Sequence, residues 1–185
     1  MRSTCGLLLI WGGPDTTRRG LYARPVPGEP SSRRPDFGPA YGITPEPGGL
    51  LDWSWATERL ETSRNYWIGT SGPDGRPSVV PVWGVWLDDA LRFGTSRASR
   101  KGRNLAVDPR VVVHLESGDE VVILEGDVEE ATIDASVADA YERKYAMRPG
   151  EDPSDGEAWY ALRPRMALAW TEGDYPRTAT RFDFA

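Results

Sequence analysis

One cysteine, one histidine and two lysines are all that this 185-residue chain holds of three residue types that carry much of protein chemistry. With Cys5 alone, no intramolecular disulfide can form. Cys5 and His114 cannot supply the four ligands of a structural zinc site, so no metal is expected. The chain has no G-x-S-x-G, and His114 follows three valines, Val111–Val113, where a satisfied core or interface histidine is the ordinary outcome. No catalytic side chain is therefore assigned. Long apolar runs are missing as well. The longest near the start is Leu7–Trp11, against the roughly 20 residues of a spanning helix. No A-x-A-like cleavage site follows it, and no apolar stretch follows Arg18-Arg19, so no export signal is read. A cytoplasmic location without membrane association is the expectation. Positive charge is scarce too: 22 basic against 28 acidic residues give a net charge of −6. That balance argues against general binding to nucleic acid or an anionic membrane.

Proline is plentiful but uneven. Eight of the 16 prolines lie in residues 1–47. Residues 1–40 keep no period of 2 or 3.6, which predicts a flexible N-terminal leader, at most an arm laid across a partner subunit, with one domain over 41–185. Within that domain Asp52 or Ser54 can cap a helix to about Arg64, packing through Trp53, Ala56 and Leu60. Residues 65–71 read as a strand, Pro73-Asp74-Gly75 as a turn, and Pro77–Leu87 as the returning strand. That second strand is apolar on both faces, and Pro81 marks an edge, a bulge or an opening. Asp88-Asp89 turns the chain into a short strand at Leu91–Gly94. A helix over Ser99–Val107 follows, and Pro109 ends it. Strands at Val111–Leu115 and Val121–Glu130 come next, then a helix capped by Asp134 with Val137, Tyr141 and Tyr145 in one stripe. Trp159–Trp170 and Thr178–Phe184 close the set. Many short strands with few helices predict a mainly β protein, a β-barrel with added helices.

The scarce positive charge is concentrated between Arg92 and Arg110. Arg92, Arg97, Arg100, Lys101, Arg103 and Arg110 fall there with only Asp108 against them, and Thr95, Ser96 and Ser99 are interleaved. Hydroxyls, backbone N–H groups and a basic fork at a helix start suit a phosphate. A solvated basic loop explains the same residues equally well. Trp83 and Trp86 flank the apolar strand and can wall a planar ring, though core packing is the ordinary role of each. An anion grip beside an aromatic wall, with no acid–base machinery, fits a protein whose cofactor brings its own chemistry.

Several segments together resemble a known family. They are Arg64–Trp67, Gly75–Trp83, Phe93–Thr95, the Arg100-Lys101-x-Arg103-Asn104-Leu105 run, Asp108–Val111 and Val122–Gly126. Their order and spacing resemble the pyridoxamine 5′-phosphate oxidase-like split β-barrels that bind FMN, nearest to the flavin/deazaflavin oxidoreductase branch. The resemblance covers about residues 52–184. It implies a homodimer with two cofactor sites at the subunit interface and either FMN or the deazaflavin F420 as cofactor, with F420 preferred. By position, Arg100 and Lys101 would hold the cofactor phosphate with Thr95 and Ser99, Asn104 would orient the grip, and backbone at Val80, Pro81, Val82 and Trp83 would lie along the ring. The implied activity is hydride transfer to a small unsaturated or quinone-like molecule. The alternative is a non-catalytic carrier of a cofactor, haem or another tetrapyrrole on the same fold, with His114 as the only histidine available as an axial ligand.

Overall fold

The computed structural model of the chain describes residues 29–150 and 156–185. Among these, nine strands form one antiparallel sheet. They are β1 (Ser31–Arg33), β2 (Tyr66–Ser71), β3 (Pro77–Val82), β4 (Gly84–Leu87), β5 (Ala90–Ser96), β6 (Arg110–His114), β7 (Glu120–Ala131), β8 (Glu157–Thr171) and β9 (Thr180–Asp183). The helices are α1 (Trp53–Thr62), α2 (Arg100–Leu105), α3 (Ala135–Tyr145) and the single turn α4 (Tyr175–Thr178).

Hydrogen-bonded neighbours run β3-β2-β6-β7-β8-β5-β4, and β9 and β1 extend the sheet from the second half of β8. The two ends of this path, β3 and β4, are successive pieces of one run of chain. The sheet therefore curls into a barrel without closing: β3 pairs with β2, β4 pairs with β5, and Trp83 lies at the break. This is a split β-barrel with added helices, as expected. The unbroken strand expected over Pro77–Leu87 is corrected to two strands, because the chain changes neighbours at Trp83.

Local signals account for most of the elements. Pro73-Asp74-Gly75 makes the β2–β3 turn with Gly75 at φ 78°, where a side chain would be strained. Asp88 and Asp89 both adopt left-handed torsions (φ 52° and 54°) in the two-residue β4–β5 hairpin, a conformation aspartate tolerates better than most residues. Asp134 caps α3 by accepting the N–H of Val137 at 2.9 Å. Pro164 stands in the central strand β8, and the β7–β8 register shifts between Glu125 and Gly126 opposite it. A bulge there absorbs the missing N–H.

The barrel is filled by inward residues of alternating positions, including Tyr66, Ile68, Phe93, Val113, Leu124 and Leu162, all essentially without exposure. Full burial of each such side chain is worth about 1.5–3 kcal/mol. Helix α1 closes one end with Ala56 and Leu60 buried. Its Trp53 meets Phe182 edge-on at 5.1 Å. A second cluster lies outside the barrel, where Val137, Tyr141 and Tyr145 of α3 pack on Val85 and Trp159.

The leader expected over residues 1–40 lies, up to Gly28, outside the described residues. Its last part is laid on this chain's own sheet. Ser31–Arg33 pair with Arg181–Asp183, and the Arg34 guanidinium donates to the carbonyls of Glu46 (3.0 Å), Gly48 (2.6 Å) and Ala179 (3.0 Å).

Candidate functional site

The basic stretch separates once each partner is visible. Arg97 pairs with Glu130 of β7. Arg110 forms a two-pronged pair with Asp108 (2.9 and 2.7 Å), which holds that carboxyl down to about 2. Arg103 turns back to the carbonyl of Ala98. What remains is Lys101, half-buried, Arg100, exposed and in no ion pair among the described residues, and Arg92 of β5, whose buried Nε has no hydrogen-bond partner among the described residues. Lys101 donates to the Thr95 hydroxyl at 2.7 Å, and Thr95 lies 3.1 Å from the Ser99 hydroxyl. Ser99 in turn caps α2, accepting the N–H of Gly102 at 2.9 Å. Burial holds the Lys101 ammonium below its usual range, and among the described residues no carboxylate contacts it to offset that. Asn104 is buried and ties α2 to β2 through the Thr70 hydroxyl at 3.0 Å. The structure thus brings Thr95, Ser99, Lys101 and Asn104 to one end of the barrel, on β5 and α2.

The Val80–Trp83 segment forms the edge of the opening. The β4–β5 ladder stops at Gly84 opposite Phe93, while β3 runs on beside β2. Thr95, two residues beyond Phe93, therefore has β8 on one side and no strand on the other. Val80 and Val82 alternate on the inner face, and Val82 is buried, yet Val80 is 37% exposed, so the wall is open at that point. Pro81, expected at an edge or an opening, lies on an edge strand with only β2 as neighbour. Trp83 is 40% exposed and lies flat on Tyr145 at 4.7 Å, whereas Trp86 is core.

Behind Trp83 is a group of residues that sequence reading did not single out as functional. The Lys144 ammonium donates to the Tyr66 hydroxyl (2.8 Å) and the Gly84 carbonyl (3.0 Å). Burial pulls Lys144 down to about 8. Burial, with the nearby Tyr145 and Glu61 adding to it, pushes Tyr66 well above the usual tyrosine range. The signs give a test. An unfolded lysine titrates near 10.4, so between about 8 and 10 the unfolded chain keeps a proton that folded Lys144 releases, and stability rises with pH. Above about 10 the unfolded tyrosine ionises while Tyr66 stays neutral, and stability falls. Urea midpoints measured from pH 7 to 11 should therefore pass through a maximum, and Lys144→Met should flatten the rising limb. An unchanged rise in that variant would assign it to other groups.

His114 lies on the outer face of β6, stacked on Trp67 at 6.2 Å, with its Nδ1 2.8 Å from the Leu115 carbonyl. It is not among the groups around Lys101. The same outer face carries Val79 (51% exposed) and Val112 (43% exposed) on either side of Gly69. A groove of about 520 Å³ runs there, with Arg110, Glu125 and Arg165 on its rim. Among the described residues no three His, Cys, Asp or Glu side chains gather to hold a metal, and no helix is long and apolar enough to cross a membrane.

A family model described as pyridoxamine 5′-phosphate oxidase matches residues 56–171. A pyridoxine/pyridoxamine 5′-phosphate oxidase of Sphingopyxis alaskensis is 32% identical over 147 residues, 76% of this chain and 65% of that protein. The chain thus spans just under two thirds of that relative's length. Among solved structures, an F420 reductase superposes with a TM-score of 0.50 at 25% identity, covering 60% of this chain and 93% of its own. A pyridoxamine 5′-phosphate oxidase-related, FMN-binding protein from Nostoc punctiforme superposes with a TM-score of 0.51 at 18% identity, covering 69% and 87%. That last likeness is one of fold.

Proposed function

The chain belongs to the pyridoxamine 5′-phosphate oxidase family, and on that premise we propose that it is an oxidoreductase using a flavin-type cofactor held at the split in its barrel. The observation that carries this reading is Lys101: a half-buried ammonium with hydroxyl neighbours and, among the described residues, no carboxylate in contact, at the open edge of β5. A donor set of one ammonium, one exposed guanidinium and two hydroxyls fits a phosphate group. Lys101, Arg100, Thr95 and Ser99 bind it. Asn104 fixes α2, and hence the grip, to β2. The backbone of Val80, Pro81, Val82 and Trp83 lines the ring, and Trp83 walls its far end. The ring supplies hydride transfer when bound. The chain supplies orientation and exclusion of water. The acceptor is a small unsaturated or quinone-like molecule lying against the ring.

The deazaflavin F420 is preferred over FMN. The Gly75–Trp83 and Arg100–Asn104 patterns and the likeness to an F420 reductase support that choice. The apolar outer face at Val79, Pro81, Trp67 and Val112 is covered by a second copy of the chain, which places each cofactor at a subunit interface. Titration of the cofactor-free protein with each coenzyme, followed by fluorescence, should give tight binding of F420 and weak binding of FMN. A preference for FMN would reverse the cofactor choice, and binding of neither would remove the proposal. A monomer in sedimentation at micromolar concentration would remove the shared interface.

A further inference from the structure

The place where the barrel splits is set by a side chain. The β2–β3 ladder ends with Tyr66 opposite Val82. Two positions further in the same register would set Arg64 opposite Gly84. The hydroxyl of Tyr145, from the last residue of α3, stands in that place. It lies 2.7 Å from the Arg64 carbonyl and 2.8 Å from the Gly84 carbonyl, and it accepts the Gly84 N–H at 2.9 Å. Its single proton is shared between the two carbonyls. Lys144 adds a second donor to the Gly84 carbonyl at 3.0 Å and is braced by Tyr66 at 2.8 Å. The backbone groups of Gly84 that a neighbouring strand would otherwise satisfy are thus satisfied by α3. Released from β2, the chain turns at Gly84 onto β5. A Cβ at Gly84 would lie 2.8 Å from the Arg92 carbonyl, so only glycine fits that crossing. The Tyr145 ring also serves as the surface on which Trp83 lies, at 4.7 Å and 9° from parallel, with the Arg64 guanidinium 5.6 Å from the Trp83 ring centre.

We propose that Tyr145, braced by Lys144, is the positioning residue of the cofactor slot: its hydroxyl wedges β2 from β4 at Gly84, and its ring fixes Trp83 at the slot's far end. This rests on the cofactor reading above but concerns α3, which touches no part of the phosphate grip. The wedge keeps Gly84–Leu87 from extending the β2–β3 ladder and sends it onto β5, and so leaves the far edge of Val80–Trp83 open to line a ring.

The test is Tyr145→Phe, which keeps the stacking surface and removes the hydroxyl. Coenzyme affinity should fall about tenfold, as for one lost hydrogen bond. Affinity of the cofactor-free protein for inorganic phosphate, followed by phosphorus NMR, should stay within about twofold, because the grip is elsewhere. A merely structural role would lower both affinities together. Exchange of the Gly84 amide with solvent should speed up by about tenfold or more. If Tyr145→Phe bound the coenzyme as wild type does, or if both affinities fell together, the wedge would be refuted while the cofactor reading stood. If wild type bound neither coenzyme, that reading would fail and take the slot with it. Should Tyr145→Phe not fold, Lys144→Met retains the phenol and removes the second donor, and about threefold weaker coenzyme binding is expected. Unchanged binding in that variant would equally overturn the proposal.

Discussion

Replacing Lys101 with alanine should weaken coenzyme binding about 10- to 100-fold, the range for a charged hydrogen bond to phosphate, with little change in thermal stability. The two halves of that expectation have one cause. In the free protein the ammonium is half-buried and burial disfavours its charge. Its side-chain partner among the described residues, the Thr95 hydroxyl at 2.7 Å, does not return what water would give. Removing it therefore costs the fold little. A bound phosphate supplies the missing counter-charge, so the loss appears in the complex. Because burial lowers the folded pKa, affinity in wild type should decline as pH rises through that lowered value, and the alanine variant should lack the decline. Arginine should not substitute fully, since its planar fork cannot keep the contact with Thr95 in the same half-buried space. Fluorescence titration of wild type and variant, with melting curves alongside, measures both halves. Equal affinities would place the phosphate elsewhere.

Gly102→Ala should be the most damaging single-methyl change near the site. A Cβ there would lie 2.3 Å from the Ser96 carbonyl oxygen and 2.9 Å from both Cα and O of Arg97. All three are backbone atoms, so no rotamer change relieves the clash, and α2 must move away from the end of β5. Overpacking of this kind costs about 1–3 kcal/mol. In a chain of this size, that corresponds to a fall in melting temperature of very roughly 2–12 °C. The movement also displaces Ser99, Lys101 and Asn104 together, so coenzyme affinity falls with stability, unlike the case of Lys101→Ala. Gly118→Ala is the control, because its Cβ would meet nothing within 4 Å. Calorimetry on the two variants decides the matter: equal melting temperatures would mean that α2 is not held against β5 as described.

The sequence made visible what short-range chemistry controls. Asp134 caps α3, Gly75 and Asp88-Asp89 turn the hairpins, and Val137, Tyr141 and Tyr145 form one stripe. Each of these depends on torsional preference or on spacing within one element, and so can be read without knowing what the element meets. The order of motifs was also enough to indicate the split barrel, and the structure brings Thr95, Ser99, Lys101 and Asn104, the residues proposed for a phosphate grip, to one end of it. Three features were decided only by tertiary structure. Arg97 finds Glu130, 33 positions away, and so leaves the basic group. The run Pro77–Leu87 breaks at Trp83, although its apolar pattern continues unbroken through the change of neighbours. Tyr145 looked like one more packing residue of α3, but its hydroxyl reaches the backbone of Arg64 and Gly84, 81 and 61 positions earlier. An ion pair or a wedge between distant segments depends on which strands come together and in what register. That is fixed by burial of the whole barrel and leaves no period, cap or turn signal in the residues themselves.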